Sequence, residues 1–289
     1  MTEKTPAGSA ETTSATGLAP ARGPRAAAAA DPSKPAVLPT VRAQKVIEAQ
    51  VAAFKANSDA SLAGTFDKDA VVLARTGHEV DEGLLARTLA QVGPHERVLE
   101  VKLNNLVAGG NDDAVWLMAE LAIAKQNEEP EATPSTTTEV IRATELIAAS
   151  AGWKVVAAAF SDPRKPGRLG ATFPMLDTTA AGPLAPMLAA PAKLADALAA
   201  DPSVVVIPPE DPVAVGPNAA RAMLATYAGR KLVVDGAARE LRSERWGFAQ
   251  ANVSWLEPGG SPYRLTAQLI ALPAPNGSWA IVAVQFLAL

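Results

Sequence analysis

Apolar positions first become periodic at Val41: Ile47, Val51 and Phe54 fall at i, i+4 and i+7, with Lys45, Glu48 and Lys55 elsewhere on the wheel. This spacing predicts an amphipathic helix lying on a core. Asn57-Ser58-Asp59 interrupts it and can cap a second short helix running through Leu62, after which Asp69 to Leu73 reads as a strand and Glu82 to Val92 as a third helix. Beyond Pro94 the period drops to two. Leu99, Val101 and Leu103 alternate with Glu100, Lys102 and Asn104, and Gly109-Gly110-Asn111-Asp112 supplies a turn. Val115, Leu117, Ala119, Leu121 and Ile123 then share one face of a strand, and Trp116, Met118 and Glu120 the other. The stretch from Gln126 to Pro134 reads as a solvated hairpin loop, followed by strands over Thr138 to Ala148 and Trp153 to Phe160 around Ser150-Ala151-Gly152. Helices come first, then an antiparallel meander.

The second half re-reads the first. Residues 70 to 91 align without a gap on 205 to 226, placing Val71-Val72 on Val206-Ile207 and Leu89 on Leu224. Later, Glu145-Leu146-Ile147-Ala148 falls on Gln268-Leu269-Ile270-Ala271, Trp153 on Trp279 and Phe160 on Phe286. Between the copies, residues 163–183 form a Pro/Gly-rich linker without periodicity. Residues 1–40 hold no aromatic residue and are dominated by Ala, Pro, Thr, Ser and Gly, so they are expected to form a disordered tail that cannot bury enough apolar surface to offset its ordering entropy.

The motifs Asp69-Ala70-Val71-Val72 and Gly152-Trp153-Lys154-Val155-Val156 in the first copy resemble the nuclear transport factor 2-like superfamily, in particular its SnoaL-like branch. So do Ser203-Val204-Val205-Val206, Val215-Gly216-Pro217-Asn218-Ala219-Ala220 and Gly277-Ser278-Trp279 in the second. The resemblance implies an α+β fold of two tandem cone-shaped domains, 41–162 and 184–289, each a curved antiparallel sheet wrapped around N-terminal helices with an apolar pocket inside. It also implies that the copies pair through their sheets, giving an intrachain pseudo-dimer; tethering favours this by raising the local concentration of each copy near the other.

Isomerases and cyclases of the superfamily work through a carboxylate or histidine in the cone. The positions matching the isomerases' aspartate base are here about Ala74 and, in the second copy, Ile207 or Pro208, and the later strand acid falls near Ala143. Those departures speak against transferring the enzymatic chemistry. Pocket candidates are His78, which lies close to Asp81, then Trp116 and Glu120, which share a strand face, and Trp255. Glu120 reads as an edge-strand carboxylate facing water, and Glu145 and Gln268 as polar positions on a solvated or interface side of the sheet. The run from Arg239 to Arg245 reads as a solvated strand face.

Composition narrows the function classes. The chain has 289 residues, 4% aromatics and no cysteine, which excludes disulfides, thiolate metal sites and cysteine nucleophiles. Two isolated histidines, His78 and His95, make no metal site, and no cofactor is expected. A net charge of −4 lacks the positive field of a nucleic-acid binder, and no run of about 20 apolar residues suggests a membrane span. The sequence therefore points to a cytoplasmic, non-catalytic protein that holds a small apolar ligand or a protein partner in a cone-shaped pocket. A structural or interaction module, or a SnoaL-like isomerase or cyclase, is the alternative.

Overall fold

A computed structural model describes residues 38–74, 89, 92, 95–129, 133–163, 182–209, 212–228, 230–256 and 263–288. The expected tail apart from its last three residues, most of the linker, His78 and nearly all of the third helix lie outside the described residues. Helix α1 spans Pro39–Lys55 and buries Ile47, Gln50 and Phe54 at i, i+3 and i+7. Helix α2 spans Asp59–Ala63 and starts where Ser58 Oγ accepts the Ser61 amide at 3.2 Å. Strands β1 (Phe66–Leu73), β2 (Glu96–Gly110), β3 (Ala114–Asn127), β4 (Thr136–Ala148) and β5 (Lys154–Ser161) make one sheet in the order β1-β5-β4-β3-β2. The sheet is mixed, because β1 returns alongside β5 in parallel while the rest is an antiparallel meander.

The second half follows the same plan. Helix α3 (Pro191–Asp196), strands β6 (Val205–Ile207) and β7 (Ala214–Val215) and helix α4 (Pro217–Ala228) precede β8 (Lys231–Arg242), β9 (Gly247–Leu256), β10 (Tyr263–Pro273) and β11 (Trp279–Ala288). The sheet order is β7-β6-β11-β10-β9-β8, with β6 parallel to β11 as β1 is to β5. The fold is thus α+β with two cone-shaped sheets. Among the described residues no helix is long and apolar enough to cross a membrane.

Strand alternation divides each sheet into an inner face, covered by helices, and an outer face. The inner face of the first sheet buries Leu117, Ala119, Leu121, Ile141, Ala143 and Ile147 with Ile47 and Phe54 of α1, and that of the second buries Leu265, Leu269 and Val253 with Leu224 and Tyr227 of α4. The outer faces share a third cluster in which Trp116, Met118, Leu146 and Ala157 of the first sheet pack with Val205, Phe248, Ile270 and Ala283 of the second. Polar groups close the same seam: Gln285 Nε2 donates to Ser161 Oγ at 2.7 Å, and Arg142 donates to the Pro208 carbonyl at 3.3 Å. The strands in the middle of both sheets are therefore buried on both faces, which explains why β3 carries large apolar residues at successive positions.

Two sequence expectations change at β-bulges. Regular alternation would put Leu99, Val101 and Leu103 on one face, but the β2–β3 register shifts between Val98 and Glu100, and again between Leu103 and Asn105. Val98 and Val101 are both buried and Leu99 is exposed, because Leu99 is the extra residue of the first bulge and reverses the in-out assignment beyond it; Leu103 pairs with Leu121 on the face of Val101 and is 38% exposed. The second change concerns the match between halves. The bulge after Leu146 on the β4–β5 ladder corresponds to the bulge after Ile270 on the β10–β11 ladder. Matching the sheets through these bulges sets Glu145 against Leu269 and Thr144 against Gln268, and the parallel ladders set Val71 against Val205. The alignment read from sequence is thus one residue out on these strands, whereas Trp153 with Trp279 and Phe160 with Phe286 keep their match.

The β2–β3 turn is built as its residues demand. Asn111 Oδ1 accepts the amides of Asp113 and Ala114, and Gly110 takes φ 143°. A Cβ at Gly110 would run into the Ala114 carbonyl and the Val115 backbone. Gly110→Ala is therefore expected to destabilise the protein by about 1–3 kcal/mol in chemical denaturation. An unchanged midpoint would show that the turn relaxes around the methyl group.

Candidate functional site

On β4 the side chains of Ile141, Ala143, Glu145 and Ile147 alternate onto the inner face, so a carboxyl group is carried into an otherwise apolar wall. Glu145 pairs across the sheet with Leu117 on β3 and Ala158 on β5, both buried in the same cluster. Its exposure is 0%. Removing a carboxylate from water without compensation disfavours the charged form, and burial pushes the Glu145 carboxyl up to about 7, with the neighbouring Gln50 amide pulling it back by less. Gln50 comes from the buried stripe of α1 and donates from Nε2 to Thr65 Oγ1 at 3.4 Å. It closes no hydrogen bond of normal geometry to Glu145: both carboxyl oxygens and Gln50 Oε1 are buried without a partner.

This separates Glu145 from the other buried charges among the described residues. Lys125 pairs with Glu139 at 3.0 Å. Arg142 pairs with Glu120, also at 3.0 Å. Glu240 accepts the Leu184 and Ala185 amides at 3.0 Å each and meets Arg242 at 2.8 Å, so it is buried as an anchor for the start of the second half and is not the solvated residue expected from its charged run. Orphaned buried polar groups are rare in folded proteins and call for a partner. Chemically, a neutral Glu145 can donate one hydrogen bond and Gln50 Oε1 can accept one, in a setting whose walls are aliphatic.

The residues singled out from sequence fall in different places. Glu120 lies on an interior strand, on the outer face, with its side chain 23% exposed and engaged by Arg142. The edge-strand reading therefore gives way, since β2 covers that edge. Trp116 is fully buried between the two sheets rather than within the first cone. Trp255 lies on the inner face of the second sheet, 7% exposed, edge-on to Tyr227 with ring centres 5.3 Å apart. These candidates are not brought together, and His78 lies outside the described residues. Glu145 was passed over because the slipped alignment paired it with Gln268. The alternation Ile141, Ala143, Glu145, Ile147 and the helix spacing Ile47, Gln50, Phe54 were the signals that could have found both polar groups.

A concavity of 330 Å³ opens where β1 and β5 approach the end of β8, away from Glu145, lined by Asp67, Asp69, Val156, Arg242 and Trp246 among others. Its charges are largely committed: Asp67 Oδ1 accepts the Asp69 amide at 3.0 Å, Asp69 meets Lys68 at 2.8 Å, and Arg242 meets Glu240. Among the described residues no group of three or more acidic or histidine side chains could hold a metal ion.

No protein-family model matches the sequence, and no curated protein matches it. Solved structures do. A nuclear transport factor 2-like protein from Cytophaga hutchinsonii is 15% identical, with 42% of this chain covering 94% of it at a TM-score of 0.33. A ketosteroid isomerase-like protein from Erwinia carotovora atroseptica is 15% identical, with 44% of this chain covering 97% of it at 0.35. A nuclear transport factor 2-like protein of unknown function in nutrient uptake from Rhodospirillum rubrum is 18% identical, covered to 96% by 41% of this chain at 0.33. Each match takes up less than half of this chain and nearly all of the other.

Proposed function

We propose that the first cone is a receptor for a small, mostly apolar molecule that offers one polar group to Glu145 and Gln50. The observation that carries this reading is the pair of buried, unpartnered polar side chains in an aliphatic wall. A site of this composition, apolar with a few placed polar groups, is the usual form of a small-molecule pocket. Binding rather than catalysis is favoured because the other charged groups on that face of β3 and β4, Lys125 and Glu139, are committed to each other at 3.0 Å. A SnoaL-like isomerase or cyclase is the second reading, and the observation in its favour is that a carboxyl group titrating at about 7 is suited to move a proton at neutral pH.

The two outer faces cover each other, and this supports reading the chain as an intrachain pseudo-dimer that needs no second copy. Native mass spectrometry of gently purified protein tests both proposals. The wild-type chain is expected at one copy, 29.7 kDa, plus the mass of a retained small molecule. Glu145→Leu should lose that excess. Bare chain from wild type as well as variant would refute the receptor, and a doubled mass would refute the intrachain pair.

A further inference from the structure

The inner face of the second sheet has no counterpart of Glu145, since Leu269 occupies the matching place, yet it carries its own unmet polar groups. Tyr227 in the last turn of α4 stacks on Phe286 of β11, with ring centres 5.0 Å apart and planes 13° from parallel, and meets Trp255 of β9 edge-on. Tyr263, at the start of β10, lies 5.6 Å from Trp255. Into this group of rings comes Arg230, placed by the chain as it leaves α4, where its backbone amide bonds the Tyr227 carbonyl at 2.9 Å. Its guanidinium carbon stands 3.5 Å over the Trp255 ring and 5.2 Å from that of Tyr227.

The Trp255 indole N–H is buried and finds no hydrogen-bond partner, in a side chain more than nine-tenths buried. Arg230 rests its charge on aromatic faces, and no carboxylate meets it among the described residues. A guanidinium so placed is partly desolvated, keeps its fork of N–H groups and is pre-organised by stacking, which is the arrangement that recognises planar oxyanions. Beside it Tyr227 and Phe286 are packed away at 2% and 0% exposure, Trp255 keeps 7%, and Tyr263 is half-buried at the rim of the group. We propose that the second sheet holds an aromatic or otherwise apolar monocarboxylate, its carboxylate taken by Arg230 and the Trp255 N–H and its apolar body laid against Trp255 and the half-buried Tyr263. This site is separate from the one in the first cone and does not depend on it.

The test is calorimetric titration of the full chain with 2-naphthoate at neutral pH, beside the uncharged 2-naphthalenemethanol and a naphthyl trimethylammonium salt. Naphthoate is expected to bind at least tenfold more tightly than the alcohol. Arg230→Gln should abolish that preference, Arg230→Lys should keep part of it, and Trp255→Phe should weaken the acid more than the alcohol. Circular dichroism and the thermal midpoint establish that each variant is folded. Glu145→Gln should leave naphthoate binding unchanged, so failure of the first-cone receptor and failure of this site are read separately. Equal affinity for acid and alcohol, a preference surviving Arg230→Gln, or preferential binding of the ammonium salt would each overturn the proposal, the last by showing that the rings serve an external cation.

Discussion

Trp116→Ala is expected to destabilise the protein by about 3–5 kcal/mol, the usual cost of deleting a fully buried indole. Trp116 is 0% exposed and lies in the cluster that joins the two sheets, against Leu146 on its own sheet and among Phe248 and Ile270 of the other. Its cross-strand partner is Gly109, where an added Cβ would come within 3.0 Å of the indole nitrogen, so the ring is seated over a position kept empty for it. The loss should appear in chemical denaturation as a lower midpoint with one transition, because the cluster belongs to both sheets. Trp116→Phe should cost much less: Phe248 holds the matching place in the second sheet, and the change removes an indole N–H that has no partner. A cost for Trp116→Ala below about 1 kcal/mol would show that the sheets do not pack through this residue.

Glu145→Gln should stabilise the protein at alkaline pH and leave it nearly unchanged in acid. Burial raises the folded-state value of Glu145 from 4.5 to about 7, so the folded protein keeps a proton that the unfolded chain gives up. Below pH 4.5 the carboxyl is neutral in both states and carries no ionisation penalty. Between 4.5 and 7 only the unfolded chain ionises, so stability falls as pH rises, and above 7 the full cost of about 3 kcal/mol is in place. Other carboxylates add their own pH dependence, and the difference between wild type and variant isolates this one. That difference should grow from near zero at pH 4.5 to about 3 kcal/mol at pH 8 in denaturant titrations. A difference constant across the range would mean that Glu145 does not titrate as a buried, unpaired acid. A bound ligand that accepts a hydrogen bond from the neutral form would extend the stable range upward in the wild type and not in Glu145→Gln, which links this measurement to the proposed receptor.

Local patterns were enough to place the elements with short-range causes. The stripe Ile47, Val51, Phe54 marks α1, Ser58 marks the start of α2, and Asn111 with Gly110 marks the β2–β3 turn; the structure has each of these. The second half forms a sheet in which β6-β11-β10-β9-β8 runs in the order of β1-β5-β4-β3-β2, with β7 added at its edge. Sequence alone could not fix the faces. A β-strand side chain belongs to the inside or the outside by parity alone, and one bulged residue inverts every assignment beyond it. Leu99 is exposed and Val98 buried for that reason, and Glu145 went to the wrong face when the halves were aligned one residue out. Tertiary structure also decided what the outer faces touch. Glu120 would meet water on an isolated sheet, but here it is held by Arg142, and Arg142 in turn reaches the Pro208 carbonyl of the second half. The elements were determined by the sequence because turns, caps and periodicities act over a few residues. The buried acid, the ring-bound arginine and the seam between the sheets were decided by the tertiary structure, because each depends on which distant groups arrive beside it.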